Sequence, residues 1–255
     1  MYIDTHAHLT DKCFQDCVDE ILEQAKQQNV KKIICASYDQ QSSIDSVGFA
    51  NKYDNVYAII GVHPHDAKTY DESIEQTLIK LAQNNKVVAI GEIGLDYHYD
   101  LSPREVQRQV FGKQIDLAYR CKLPIVIHTR EAIGDTMEIL RKNKSKIYGA
   151  LVHCFNASKE ILCEIMDMGY YVSYGGAITF KNANGLLEAV KNTPLERITL
   201  ETDCPYMTPV PYRGQTNFPK YIPLVAQKIA ELKNMSVEEI EQITTKNAQK
   251  FFKID

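Results

Sequence analysis

Short continuous runs of apolar residues recur along the chain, and each is followed by a longer segment in which apolar residues return every three or four positions. Such a short run is typical of a strand in a parallel sheet, because helices cover both faces of that sheet. The predicted strands are residues 1–5, 32–36, 56–60, 87–90, 124–128, 150–153, 170–174 and 198–201. The predicted helices lie near residues 12–28, 40–52, 71–84, 103–121, 131–142, 158–168, 183–192 and 219–233. A further amphipathic helix is predicted over residues 236–252, where Ser236 is the N-cap and Glu239 completes a capping box.

Alternating strands and helices predict an α/β protein with a parallel sheet. A repeat of roughly 30 residues per strand–helix unit is typical of a TIM (β/α)8 barrel, and the chain of 255 residues fits that fold with one extra C-terminal helix. An open doubly wound sheet is the alternative, because alternation alone does not show that the sheet closes. No linker or internal repeat interrupts the chain, so residues 1–255 are predicted to form one domain.

Composition excludes several classes of protein. The net charge of −4 gives no electrostatic reason for tight nucleic-acid binding over a broad surface, although a local basic rim stays open. Seven cysteines occur without a CxxC pair, which argues against a disulfide scaffold or a thiolate zinc site. The chain starts without the features of a secretory signal, and no apolar stretch approaches the ~18 residues of a membrane span. We therefore expect a cytoplasmic protein with no membrane contact and no obligatory protein partner.

Histidines and carboxylates stand at or just past the ends of the predicted strands. In a closed barrel these ends meet at one mouth, where active sites of this fold are built. Any one of these residues is explained as a structural histidine or a helix cap, but six such donors together are costly to bury without a cation. The pattern therefore predicts a divalent metal site. The six residues are His6, His8, Glu92, His128, His153 and Asp203.

Six donors exceed the three protein ligands that one catalytic metal normally takes. They suit two metals about 3.5–4 Å apart that share a bridging carboxylate. The predicted bridge is Glu92, with His6, His8 and Asp203 on one metal and His128 and His153 on the other. Four imidazoles favour zinc, manganese, cobalt or nickel in the isolated protein. Magnesium prefers oxygen ligands and is expected at most to support activity when it is added.

An ordered set of segments resembles the TatD family of metal-dependent hydrolases, within the amidohydrolase-like superfamily. The segments are DTHAHL, GVHPH, GEIGLDYHYD, PIVIHTREA, HCFNAS, YYVSYGG, LETDCPYMTP and PYRGQTNFP, and they run from end to end of the chain. The resemblance implies a TIM barrel with a two-metal site at the six residues above. It also implies hydrolase activity, often described in the family as nuclease action on DNA and in some members as removal of D-amino acids from tRNA. Related metal barrels often use a carboxylated lysine as the bridge, whereas no lysine stands between Val87 and Asp100 here.

The predicted reaction is cleavage of a DNA phosphodiester bond at a strand end, by a hydroxide held between the two metals. Asp203 is the predicted general base, and His63 is predicted to donate a hydrogen bond to the developing negative charge. Arg130 and Arg213 are candidate phosphate contacts, because a guanidinium group matches phosphate geometry. A purely structural role for His63 and a solvated or ion-paired role for both arginines are equally open. The alternatives are hydrolysis of an aminoacyl ester such as D-aminoacyl-tRNA, of a lactone or of a C–N bond, and last a metal-binding scaffold without turnover.

Overall fold

The computed structural model describes residues 1–255, and its eight parallel strands form one sheet in chain order. The strands are Tyr2–Ala7 (β1), Val30–Ala36 (β2), Val56–Ile60 (β3), Val87–Asp96 (β4), Ile125–Arg130 (β5), Ala150–Val152 (β6), Tyr171–Tyr174 (β7) and Ile198–Leu200 (β8). The helices are Val18–Gln27 (α1), Gln40–Lys52 (α2), Glu72–Leu81 (α3), Arg104–Cys121 (α4), Ile133–Lys142 (α5), Lys159–Asp167 (α6), Asn184–Asn192 (α7), Ile222–Lys233 (α8) and Val237–Phe252 (α9). This is the predicted TIM (β/α)8 barrel, and α9 is the predicted extra C-terminal helix.

The fourth strand is longer than predicted, and its extra length carries site residues. The predicted strand ends at residue 90, whereas β4 continues to Asp96. Its pairing with β5 shifts register between Ile90 and Ile93 and then continues until Asp96 lies opposite Arg130. The apolar run stops at the shift, but the backbone hydrogen bonds to β5 do not depend on apolar side chains. Glu92 therefore lies inside a buried strand and not beyond its end.

The first helix is shorter than predicted. It begins at Val18 and not near residue 12, because a short 3-10 helix occupies the start of the segment. The side chain of Asp11 accepts a hydrogen bond from the backbone N–H of Cys13 and caps that short helix. None of the helices combines the length and the hydrophobicity that a membrane span requires. The cytoplasmic location expected from the sequence stays a prediction.

The chain divides into two compact units, and the first consists of Met1–Cys35 and His153–Asp255. Within it, β1 pairs with β2, and β7 pairs with β8. The segment after β8 joins β1 through a hydrogen bond of 2.9 Å from the N–H of Asp203 to the carbonyl of His6, and through a parallel bridge one residue further on. This pairing places Asp203 beside the end of β1, next to His6 and His8.

The second unit, Ala36–Val152, contains the strands β3 to β6 and the helices α2 to α5. Two buried glutamines of α4 bind the backbone near strand ends. Gln114 accepts from the N–H of Val62 at 2.8 Å and donates to its carbonyl at 2.8 Å. Gln107 binds Asp96 in the same way, at 2.8 and 3.0 Å. These bonds satisfy the buried amides and fix the backbone next to His63, after β3, and at the end of β4, which contains Glu92. The single domain expected from the sequence stays a prediction.

Gly94 is required where β4 passes β5. Its φ is +144°, and a Cβ added there would lie 2.0 Å from the carbonyl oxygen of His128. We expect Gly94→Ala to lower the free energy of unfolding by about 3 kcal/mol, because it combines backbone strain with overpacking. Denaturant unfolding measures the change. Gly112→Ala in α4 is the control, since a Cβ there meets nothing within 4 Å. Equal stability of the two variants would contradict the steric argument.

Candidate metal centre

Three ligand-type side chains cluster where β1 meets the segment after β8. The Nε2 atom of His8 lies 3.3 Å from Oδ1 of Asp203, and Nε2 of His6 lies 3.9 Å from the same oxygen. Each of the three residues offers one ligand atom, and these atoms all lie within 4.8 Å of one another. His6 and His8 are buried, and Asp203 is mostly buried. The structure thus brings together the three residues that the sequence assigned to one metal.

Asp203 is held in an unusual backbone conformation. Its φ is +57°, in the left-handed region that few residues other than glycine occupy. Its N–H donates to His6, and its carbonyl accepts from the N–H of Tyr206, both at 2.9 Å. Burial raises the pKa of the Asp203 carboxyl, but the hydrogen bond from His8 and the nearby histidine charges outweigh it and leave the pKa below its usual value. Asp203 is therefore a carboxylate at neutral pH.

His153 lies in the same unit, directly after β6, and a buried glutamate stands beside it. The rings of His153 and His6 stack with their centroids 4.1 Å apart. Oε1 of Glu201 lies 3.7 Å from Nδ1 of His153. Glu201 also accepts hydrogen bonds from the Cys154 N–H, at 2.6 Å, and from the Ser173 hydroxyl. His6, His153 and Glu201 form a second group of potential metal ligands.

Sequence reasoning missed Glu201 and also a buried carboxylate in β1, Asp4. Asp4 accepts hydrogen bonds from the Thr202 N–H at 3.0 Å, the Thr202 hydroxyl at 2.6 Å and the His6 N–H at 3.2 Å. Burial raises the pKa of Asp4 to about 8, although these hydrogen bonds lower it. Its side chain holds the segment after β8 against β1. For Glu201, a signal was present: it stands two residues before Asp203, and residues two apart share a side of an extended chain.

The second unit contains the third group of potential ligands. Oε1 of Glu92 lies 2.7 Å from Nδ1 of His128 and 3.5 Å from Nε2 of His63. One ligand atom from each of the three residues lies within 4.8 Å of the others. Glu92 is almost fully buried, and His63 is buried as well. The sequence had placed Glu92 and His128 at a metal, but His63 outside the ligand set.

His63 carries its hydrogen on the nitrogen that faces Glu92. Its Nδ1 accepts a hydrogen bond of 3.2 Å from the backbone N–H of His65. Burial, aided by the charge of His128, lowers the pKa of His63 to about 4, so the ring is neutral at pH 7. A neutral imidazole whose Nδ1 is an acceptor has its hydrogen on Nε2. In this tautomer Nε2 of His63 can donate the hydrogen bond that the sequence analysis predicted. The same nitrogen then has no lone pair with which to bind a metal.

Asp96, which sequence reasoning also missed, lies on the other side of His128. Its Oδ1 accepts from the N–H groups of His98, at 3.1 Å, and Tyr99, at 2.9 Å, while its Oδ2 is 2.9 Å from Nε2 of His128. Burial raises the pKa of Asp96, but these hydrogen bonds and the charges of His128 and His65 hold it well below its usual range. Residues two and four positions apart share a face of a strand. Asp96 was missed because the predicted strand ended at residue 90. Its position on the same strand face as Glu92 was therefore not recognised.

The two candidate phosphate contacts are engaged elsewhere. The guanidinium of Arg130 lies over the ring of Tyr99, 4.9 Å from its centroid. The guanidinium of Arg213 lies over the ring of Phe180, 4.2 Å from its centroid. Both arginines are exposed, and neither belongs to the three groups of potential ligands. Their role in substrate binding stays a prediction.

The donor set of the second unit fits a divalent cation. His128 faces a carboxylate at each ring nitrogen, Glu92 at 2.7 Å and Asp96 at 2.9 Å. Only a doubly protonated imidazolium can donate to both carboxylates. A cation bound jointly by Nδ1 and Glu92 replaces the proton on that side and leaves a neutral ring with its hydrogen toward Asp96. Histidine and carboxylate ligands of this kind suit transition metals.

The profile of the family described as TatD related DNase matches residues 3–253. The chain belongs to the TatD family. It is 44% identical over 255 residues to YabD of Bacillus subtilis, with 100% of both chains covered, and that relative is described as an uncharacterized metal-dependent hydrolase. YcfH of Escherichia coli K12 has the same description and is 36% identical, over 99% of this chain and 96% of its own.

Solved structures agree with this family assignment. The crystal structure of YJJV, a TatD homologue from Escherichia coli K12, superimposes with a TM-score of 0.94 at 29% identity and covers 100% of this chain and 98% of its own. The resemblance predicted from the ordered motifs is therefore confirmed. As a member of the TatD family, the protein is a metal-dependent hydrolase whose histidine and carboxylate groups can bind metal.

Proposed function

We propose that this TatD-family hydrolase is a deoxyribonuclease that cleaves phosphodiester bonds at a DNA strand end with two divalent ions. The observation that carries the proposal is the gathering of buried histidines and carboxylates into groups that can each hold an ion. The family description as TatD related DNase supports DNA as the substrate. The two relatives named above are described only as metal-dependent hydrolases, so the bond that is cleaved is part of the proposal.

The proposed ligands are the six residues predicted from the sequence. His6, His8 and Asp203 share one group of potential ligands and Glu92 and His128 share another, whereas His153 is grouped with His6 and Glu201. His6, His8 and Asp203 would hold one ion. His128 and His153 would hold the other, and Glu92 would give one oxygen to each. When bound, such ions lower the pKa of a water molecule and neutralise negative charge on a phosphoryl oxygen. We propose zinc, manganese, nickel or cobalt for the isolated protein, because imidazole ligands favour these metals over magnesium.

Two residues would act on the substrate and the attacking water. Asp203 is ionised at neutral pH because of its histidine neighbours, so it can accept a proton from the attacking water and return it to the leaving oxygen. His63 has its hydrogen on Nε2, so it can donate to the oxygen on which negative charge develops. Glu201 already accepts two hydrogen bonds from Cys154 and Ser173. It is therefore not among the proposed ligands, although it lies 3.7 Å from Nδ1 of His153.

The substrate is tested with protein reconstituted with zinc or manganese. We expect end-labelled single-stranded DNA to be shortened progressively from a strand end, and we expect a chelator to abolish the reaction because it removes the proposed ions. A D-aminoacyl-tRNA and a simple lactone are assayed in parallel as substrates of the alternative reactions. Turnover of the aminoacyl-tRNA or the lactone without cleavage of DNA would replace the proposed activity. Bound metal without turnover of any of the three would favour the scaffold.

A further inference from the structure

The carboxylate of Asp96 has no role in the proposed reaction, although its burial and its partners set it apart. It is 1% exposed, and both of its oxygens accept hydrogen bonds. Oδ1 binds the backbone N–H groups of His98 and Tyr99, and Oδ2 binds Nε2 of His128 at 2.9 Å. A buried carboxylate whose hydrogen bonds are satisfied in this way is rigid. It therefore determines whether the ring nitrogen that faces it carries a hydrogen.

We propose that Asp96 is a positioning residue that keeps the hydrogen of His128 on Nε2 and thereby presents the lone pair of Nδ1 to a metal ion beside Glu92. This inference rests on the proposed role of His128 as a metal ligand. A carboxylate can only accept hydrogen bonds, so the nitrogen that faces it must carry a hydrogen. In a neutral imidazole the other nitrogen is then free of hydrogen. Carboxylates that orient metal-bound histidines in this way also increase the basicity of the ligand.

The distribution of donors decides which nitrogen faces the ion. Nδ1 of His128 points to Glu92, and these two residues belong to one group of potential ligands, whereas Asp96 belongs to none of the three groups. On the opposite side, Oδ1 of Asp96 is already committed to two backbone N–H groups. A metal between Nε2 and Asp96 would bind a carboxylate that these two N–H groups already hold in place. The Nδ1 side is therefore the metal side.

A second histidine lies near Asp96, and geometry separates its contact from that of His128. Nε2 of His65 is 3.2 Å from Oδ2 of Asp96, but the two atoms lack the alignment of a hydrogen bond. Nε2 of His128 is closer, at 2.9 Å, and is aligned. Asp96 therefore orients His128 first, and the charge of His65 stabilises the same carboxylate.

Asp96→Asn tests the proposal because asparagine keeps the size of the side chain and replaces only one of the two carboxylate oxygens by an NH2 group. Its carbonyl oxygen can still accept from His98 and Tyr99, so the loop retains its bonds. Its amide NH2 then faces Nε2 of His128 as a donor. His128 should respond by losing the hydrogen on Nε2 and keeping its one hydrogen on Nδ1, where it faces Glu92 and where the ion would bind.

Two measurements follow on the full-length protein after its metal has been removed with a chelator. Long-range ¹H–¹⁵N correlation spectra of the histidine rings report which nitrogen carries hydrogen, and zinc competition with a chromophoric chelator reports affinity. In the wild type we expect zinc to shift Nδ1 of His128 while Nε2 stays protonated. In zinc-free wild type we expect hydrogen on Nε2 of His128, whereas in zinc-free Asp96→Asn we expect hydrogen on Nδ1 only, and zinc affinity about 10- to 100-fold weaker.

Glu131→Gln is the matched control, because Glu131 pairs with Nδ1 of His98 at 2.7 Å on the surface, outside the three ligand groups. It should leave the spectrum of His128 and the zinc affinity unchanged. Zinc that shifts Nε2 of His128, or an Asp96→Asn protein with wild-type tautomer and affinity, would overturn the role of Asp96 alone. Absence of any effect of zinc on His128 would overturn both this role and the proposed ligand set.

Discussion

Glu92→Gln is expected to lower hydrolysis by at least about 100-fold and to reduce the metal content of the purified protein. Oε1 of Glu92 is 2.7 Å from Nδ1 of His128 and 3.5 Å from Nε2 of His63, so its charge sits where these rings converge. Glutamine preserves the shape but removes the negative charge. Because the side chain is 3% exposed, water cannot replace the lost charge cheaply.

The measurement combines elemental analysis of protein purified without added metal with a hydrolysis assay. Wild-type protein is expected to contain zinc, manganese, cobalt or nickel, and Glu92→Gln less of each. Glu105→Gln is the control, because Glu105 is an exposed carboxylate in the first turn of α4. Denaturant unfolding of both variants checks that they fold. A folded Glu92→Gln protein with full metal content and full activity would remove Glu92 from the site.

Most elements of the fold were predictable because strands buried on both faces are continuous apolar runs. The third strand was predicted at residues 56–60 and is Val56–Ile60, and the second helix was predicted at 40–52 and is Gln40–Lys52. The predicted element boundaries were wrong where the backbone geometry, and not the pattern of apolar residues, decides where an element begins or ends. β4 continues through a register shift after Ile90, and the segment after Asp11 forms a short 3-10 helix before α1 begins.

The candidate site was predictable from the positions of the histidines but not from the carboxylates behind them. His6, His8 and Asp203 form one cluster, and Glu92 and His128 belong to another. The carboxylates of Asp96 and Glu201 were not anticipated, because an acidic residue next to a strand end is most often a helix cap or a solvated charge. Only the structure shows that each is buried and close to a ring nitrogen of a histidine.

The two missed carboxylates share one arrangement. Asp96 lies at Nε2 of His128, and Glu201 lies near Nδ1 of His153. Both also accept backbone N–H hydrogen bonds, at Tyr99 and Cys154, which fix the carboxylates independently of the histidines. Only Asp96 is within hydrogen-bond distance of its histidine, at 2.9 Å, whereas Glu201 lies 3.7 Å from Nδ1 of His153. A rigid carboxylate hydrogen-bonded to a histidine selects the ring nitrogen that is left for a metal ion. The hydrogen bond that orients an imidazole ligand is therefore present at His128, and at His153 the carboxylate contributes only a nearby negative charge.

Asp203→Asn is expected to lower kcat by about 100- to 10,000-fold, the usual contribution of a general base, with a smaller change in KM. Asparagine cannot accept the proton of the attacking water, although its oxygen still reaches the position 3.3 Å from Nε2 of His8. Steady-state kinetics on the substrate established for the wild type measure the change. Asp45→Asn, at an exposed carboxylate of α2, should retain full activity. A kcat of Asp203→Asn close to that of the wild type would show that another group takes the proton.

The low pKa of Asp203 also predicts how the stability of the metal-free protein depends on pH. Its pKa in the folded state is depressed because the hydrogen bond from His8 and the charges of three histidines outweigh the effect of burial. A carboxylate whose folded pKa lies below the unfolded value of about 3.9 stabilises the protein above that value and loses this contribution as pH falls through the folded pKa.

The difference in unfolding free energy between wild type and Asp203→Asn should therefore be largest near neutral pH and shrink below about pH 4. Urea unfolding across this range measures it. A difference that grows toward acid would mean that the folded protein holds Asp203 protonated, and the residue would then be unavailable as a base at neutral pH.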